Sequence, residues 1–241
     1  MTVQARGPGS TTSAPPVPLW PTVARLVGAW LLLLALLLGL GWLLTRAQEG
    51  HAFEQWDATL AQWAADHRTP WLNTVSGPAA DLGTTWVVVG LGVVAAVVAR
   101  VVFRCWRPVV VLAVALGGEL VLFLTTTALV DRPRPGVPHL DPHLPPTSSF
   151  PSGHTAAALC LYGTVAALVL AGVRGGWRRW APAVAVLLVL VVASARLYRG
   201  AHYATDVLTS MLFASAWLSV VLRLLPLPSR RAAGVGEWGR D

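Results

Sequence analysis

The chain contains no lysine, and all 18 of its basic residues are arginine. It is short of charge altogether: Asp, Glu, Lys and Arg make up 12% of it, against about 25% in ordinary soluble domains. A water-facing surface cannot be covered on half the usual supply. Only two cysteines occur, which excludes a disulfide-stapled secreted module. The long apolar runs lack period-two alternation, which excludes the strands of a membrane barrel. What is present is apolar, with 55% hydrophobic residues, twelve tryptophans among 241 residues and a mean hydropathy of +0.60. The chain is therefore neither disordered nor a nucleic-acid-binding domain, and no nucleic-acid partner is expected despite a net charge of +7. The predicted fold class is all-α, a polytopic membrane protein.

About 20 apolar residues cross a bilayer core of about 30 Å, and six runs are candidates against that length: Leu26 to Leu44, Leu82 to Ala99, Val109 to Val130, Thr155 to Val173, and the shorter or less clean Trp180 to Ala195 and Tyr203 to Leu222. The first exceeds the roughly 7–15 residues of a signal-peptide core and has no small-residue cleavage pattern after it, so it reads as an anchored helix. Arginines near span ends mark the cytoplasmic side. With the N-terminus inside, twelve of them fall in cytoplasmic segments and six outside: Arg46, Arg68, Arg132, Arg134, Arg196 and Arg199. Both termini are thus expected in the cytoplasm of a multi-pass cell-membrane protein. The basic balance reports topology.

Residues 1–21, rich in Pro, Ser and Thr, read as a disordered cytoplasmic tail, residues 22–225 as one six-helix domain, and residues 226–241 as a second cytoplasmic tail. Between the first two spans, about His51 to Ala65, helical spacing of Phe53, Trp56, Leu60 and Trp63 predicts an interfacial amphipathic helix. Cys105 and Cys160 fall at opposite ends of the membrane and read as unpaired packing residues. Glu119, inside the third span, reads as a neutral, hydrogen-bonded packing residue of the bundle.

Four of the six outer arginines lie in two loops. One runs from Asp131-Arg132-Pro133-Arg134-Pro135 to Phe150-Pro151-Ser152-Gly153-His154; the other holds Arg196, Arg199, Gly200, His202 and Asp206. Phosphate chemistry needs this composition. Arginine presents a planar fork of donors that matches phosphate oxygens and stays charged at any working pH. Ser152 and Gly153 precede the fourth span, where free backbone N–H groups make an anion site. His202 and Asp206 are four apart, so a carboxylate can orient the imidazole. His202 is then a nucleophile on phosphorus and His154 the acid and base. Phosphate can be held there without a metal, and no cofactor is expected.

These residues resemble the three signature motifs of the type 2 phosphatidic acid phosphatase (PAP2) superfamily: Arg134-Pro135, then Pro151-Ser152-Gly153-His154, then Arg196 with His202 and Asp206 at their spacing. The likeness runs from about residue 80 to 222. It implies six membrane helices around a metal-independent phosphatase site, which the arginine count places on the extracytoplasmic side. It implies His202 as the phosphohistidine-forming nucleophile, Asp206 as its partner and His154 as acid/base, with Arg134, Arg196, Ser152 and Gly153 binding phosphate. The implied substrate is a lipid phosphate or diphosphate such as undecaprenyl diphosphate, phosphatidic acid or phosphatidylglycerol phosphate. A lipid phosphotransferase, or a catalytically weak scaffold or transporter, is the alternative. Two positions depart from the motifs: Thr127 stands where a lysine is usual, and Ala195 where serine usually precedes the arginine. Arg132 is the expected substitute for the missing lysine. Arg199 reads as a headgroup contact, and His139 and His143 as residues of a solvated loop rather than a metal pair.

Overall fold

The structure, a computed structural model, describes residues 19–46, 52–142, 144 and 148–228. Eight α-helices occur among them: α1 (Trp20–Arg46), α2 (Ala52–Asp66), α3 (Pro70–Asp81), α4 (Thr85–Phe103), α5 (Arg107–Leu129), α6 (Gly153–Gly172), α7 (Ala181–Tyr198) and α8 (Ala204–Leu224). No strand occurs among the described residues. Six helices, α1 and α4 to α8, are long and apolar enough to cross a membrane, matching the six predicted runs. Helix and run boundaries differ by a few residues, most at α1, which extends past its run at both ends. Thus α1 already begins at Trp20, inside the segment expected as a tail. The remainder of that tail, most of the C-terminal one and His143 lie outside the described residues.

The bundle is built around α6. Its small residues Ala156, Ala158, Cys160, Thr164 and Ala166 are all buried, which lets α4, α5, α7 and α8 close around it. Without a hydrophobic force between helices in lipid, such close approach supplies the packing. Gly118 on α5 shows how tight it is, since a Cβ there would lie 2.2 Å from the Trp217 ring of α8. Trp217 donates its indole N–H to the Ala115 carbonyl at 3.0 Å, and Trp30 of α1 does the same to Gly118. On the lipid side, α1 leaves Leu31, Leu32, Leu36 and Leu43 more than half exposed. That outward leucine face suits an anchor.

Two shorter helices lie outside the spans. The predicted amphipathic helix is α2, with Trp56 and Trp63 about half exposed on one flank while Asp57 and Ala61 are buried on the other. The other, α3, has no counterpart in the apolar pattern. Thr69 caps it, accepting from the Leu72 amide at 3.3 Å, and Pro70 starts it. That Thr-Pro pair is a helix-start signal readable without any apolar stripe. Glu119 is buried in α5, but its Oε1 has no hydrogen-bond partner, unlike the satisfied packing group expected there.

Candidate functional site

Four helix ends meet at one end of the bundle: the C-termini of α5 and α7 and the N-termini of α6 and α8. The Arg196-to-Asp206 spacing is a backbone structure. As α7 ends, the Gly200 amide donates to the Leu197 carbonyl at 2.9 Å and the Ala201 amide to the Arg196 carbonyl at 3.1 Å. This is the Schellman pattern, and it places Gly200 at φ +76°, where an L side chain is strained. The turn delivers His202 directly to the start of α8. There Asp206 sits in the first turn and reaches back to accept from the Tyr203 amide at 2.9 Å.

His202 is 5% exposed, and its Nδ1 lies 2.7 Å from the Ser149 carbonyl. A carbonyl only accepts, so Nδ1 carries the proton and Nε2 is left with the free lone pair. The Asp206 Oδ2 stands 3.9 Å from the same Nδ1, beyond hydrogen-bond reach. The orienting bond expected from Asp206 is therefore made by the Ser149 carbonyl, because the Asp206 oxygen is committed to the Tyr203 amide. Burial pushes the His202 pKa well below its ordinary value, and the Arg196 and Arg134 charges push it the same way. Its ring is neutral in this setting.

His154 occupies the first turn of α6, after Ser152 and Gly153. It is near enough to Arg196, Asp141 and Arg134 for their charges to act across the gap. The Ser152 hydroxyl bonds the Thr155 hydroxyl at 3.0 Å rather than capping the helix, so it leaves the first-turn amides free of side-chain caps. Gly153 has a packing reason too, since a Cβ there would fall 2.8 Å from the Phe123 ring. Arg134 anchors through Nη1 on the Ala201 carbonyl at 2.7 Å. The Nε atoms of Arg134 and Arg196 are buried without hydrogen-bond partners. Burial lowers the Arg134 pKa, with Asp206 and Asp141 opposing, yet a guanidinium keeps its charge. Two cations, a helix N-terminus and two imidazoles thus converge.

Arg132 does not join them. Its Nη2 donates to Asp57 at 2.9 Å, its Nη1 to Asp206 and to Thr205, and its plane lies 4.5 Å from the Tyr203 ring. The sequence places it two residues from Arg134, but buried carboxylates on α2 and α8 compete for it and hold it. Thr127 lies in the last turns of α5 with its hydroxyl unpartnered. Arg199, read as a headgroup contact, is a loop clamp. It binds Asp141 at 2.5 Å, Ser76 at 3.0 Å and the Leu140 carbonyl at 3.0 Å.

Three site residues escaped the sequence reading. Asp141 bridges Arg196, at 2.7 Å, and Arg199. Its signal was weak: an acid within the Pro-rich loop, apart from the motif residues. Asp57 and the Ser149 carbonyl left none, the one being part of a polar flank and the other backbone. His139 bonds the Pro135 carbonyl at 3.1 Å, and no cluster of three His, Cys, Asp or Glu placed to hold a metal occurs among the described residues.

A family model described as the PAP2 superfamily matches residues 106–229. Phosphatidylglycerophosphatase B of Bacillus subtilis is 26% identical over 168 residues, 69% of this chain and 81% of that protein. The crystal structure of the first transmembrane PAP2 type phosphatidylglycerolphosphate phosphatase from Bacillus subtilis superposes with a TM-score of 0.69. It covers 91% of this chain and 100% of that one at 21% identity, a likeness of fold. Aquifex aeolicus LpxE superposes with a TM-score of 0.55 at 26% identity, over 69% of this chain and 94% of its own.

Proposed function

Because this chain belongs to the PAP2 superfamily, we propose that it is an integral membrane lipid phosphatase acting through a phosphohistidine on His202. The observation that carries this reading is the pairing of a neutral, oriented His202 with partnerless donors on Arg134 and Arg196. Those donors, with the backbone amides of the α6 N-cap Ser152 and of Gly153 in its first turn, hold three phosphate oxygens. Each charge-assisted bond is worth about 1.5–3 kcal/mol. The Nε2 lone pair attacks phosphorus, forming a P–N bond as the bond to the lipid oxygen breaks. His154 gives its proton to that oxygen, then takes one from a water whose oxygen displaces the histidine. The proton stays on Nδ1 throughout, donated to the Ser149 carbonyl, and Asp206 balances the charge that grows on the ring. No metal enters these steps.

The arginine bias puts this end of the bundle outside the cytoplasm and both termini inside. A substrate keeps its chains in the bilayer and lifts only its phosphate to the site. Phosphatidylglycerol phosphate is the first substrate to test, since the Bacillus subtilis protein is named for it. Phosphatidic acid and undecaprenyl diphosphate follow. Purified protein in detergent is expected to release inorganic phosphate from at least one of the three, at the same rate with excess EDTA. Release from none of them defeats the phosphatase reading; release that EDTA abolishes defeats its metal independence.

The pH profile supplies a second test. Nucleophilic attack needs neutral His202, and burial beside two arginines keeps it neutral below the ordinary histidine value of 6.5. As pH falls, kcat/KM should therefore hold through pH 6.5 and fail only further down, once substrate ionisation is corrected for. An acidic limb above 6.5 would contradict that assignment.

A further inference from the structure

Among the described residues, Asp57 is the one buried acid outside the spans that the phosphatase reading does not use. It sits on α2 at 2% exposure, next to Trp56, which is 49% exposed. Its Oδ2 accepts from Arg132 Nη2 at 2.9 Å and from the Thr205 hydroxyl, and its Oδ1 accepts from the Thr205 amide at 3.1 Å. That amide belongs to the first turn of α8, where backbone donors lack helical partners. A side chain from another helix thus caps α8 two residues after its N-cap. The same carboxylate shares Arg132 with Asp206, whose second oxygen holds the Tyr203 amide and faces His202.

From this chain of contacts we infer that Asp57 is a positioning residue for His202, acting through Arg132, Thr205 and Asp206. The inference rests on the phosphatase reading above. It makes α2, which spans nothing, part of the catalytic assembly. Two carboxylates on one guanidinium fix it between them, so Arg132 neither turns toward the phosphate nor pulls Asp206 from the α8 start. With Asp57 neutral, Arg132 keeps a single counter-charge and moves onto Asp206. The Asp206 oxygen that holds the Tyr203 amide then shifts, and because Tyr203 directly follows His202 the attacking nitrogen shifts with it. Asp57 touches no substrate atom, so substrate affinity stays where the other arginines set it.

The test is Asp57→Asn, which keeps the shape and the Oδ1 acceptor while placing an amide donor against Arg132. A misplacement of about 1 Å at a reacting group costs about 100-fold in rate, so kcat should fall by about 10- to 100-fold with KM within about threefold. Arg132→Gln should produce a similar loss, and the double variant no more than the worse single one, as for residues that act as one unit. A melting temperature in detergent separates this from simple unfolding. A kcat equal to wild type, or losses that multiply in the double variant, would overturn the inference. Nitrogen NMR of labelled histidine reads the same coupling without substrate: the His202 ring signals should move in Asp57→Asn, and unmoved signals also overturn it. Failure of the wild-type chain to release phosphate would instead strike the phosphatase reading, leaving the NMR result to decide the positioning role.

Discussion

Replacing His202 with alanine is expected to remove phosphate release, with kcat/KM down by at least about 10⁴-fold, the scale set by deleting a catalytic nucleophile elsewhere. The loss should not come from unfolding. The His202 ring donates a hydrogen bond to the Ser149 carbonyl, and a neutral bond of that kind contributes only about 1 kcal/mol. The anion site should also survive, because Arg134 and Arg196 are held by the Ala201 carbonyl and by Asp141 rather than by the imidazole. The variant should therefore bind inorganic phosphate about as well as wild type while releasing none from lipid. Release within tenfold of wild type would end the claim that this nitrogen attacks phosphorus. Lost phosphate binding with an unchanged melting temperature would move His202 into the binding set instead.

The second large effect is expected at His154. Removing a general acid and base costs about 10²- to 10⁴-fold, and here the loss should depend on the leaving group. A lipid alkoxide needs the proton that His154 supplies, whereas p-nitrophenolate leaves without it. In His154→Ala the first step should thus be slow for phosphatidic acid but nearly restored for p-nitrophenyl phosphate. The second step still lacks its base, so the phosphohistidine should accumulate and show as a burst of nitrophenol followed by a slow phase. Equal losses on both substrates, with no burst, would exclude His154 as the proton donor. It would then be reduced to a neighbour of Arg134 and Arg196, whose charges act on it across the site.

Much of this was readable from residues alone, for identifiable reasons. The six spans follow from unbroken apolar runs, and α2 from tryptophans at helical spacing. The twelve residues of α3 carry Pro78 and no apolar stripe, so only the Thr69-Pro70 start could have revealed them. In the site, His154, His202, Arg134 and Arg196 were legible because helix boundaries fix motif spacing. The role of Arg132 was not, because nearness in sequence says nothing about which acids face a side chain in the fold. Asp57 lies 75 residues away from it. Nor could the Ser149 carbonyl have been found, since any residue supplies one. It wins the Nδ1 proton because the loop before α6 is tied to the loop after α5, the Ser149 amide donating to the Arg132 carbonyl at 2.8 Å.

The turn at Gly200 has a consequence for how the site tolerates change. The end of α7, two backbone hydrogen bonds and the start of α8 set the offsets among Arg196, His202 and Asp206, so the three side chains share one rigid ruler. Side-chain substitutions along it change chemistry at a single mark. An inserted or deleted residue would shift every later mark at once, turning α8 by about 100° per residue and carrying Asp206 and Thr205 away from Arg132 and Asp57. The protein can therefore vary what it presents to a phosphate far more readily than where it presents it.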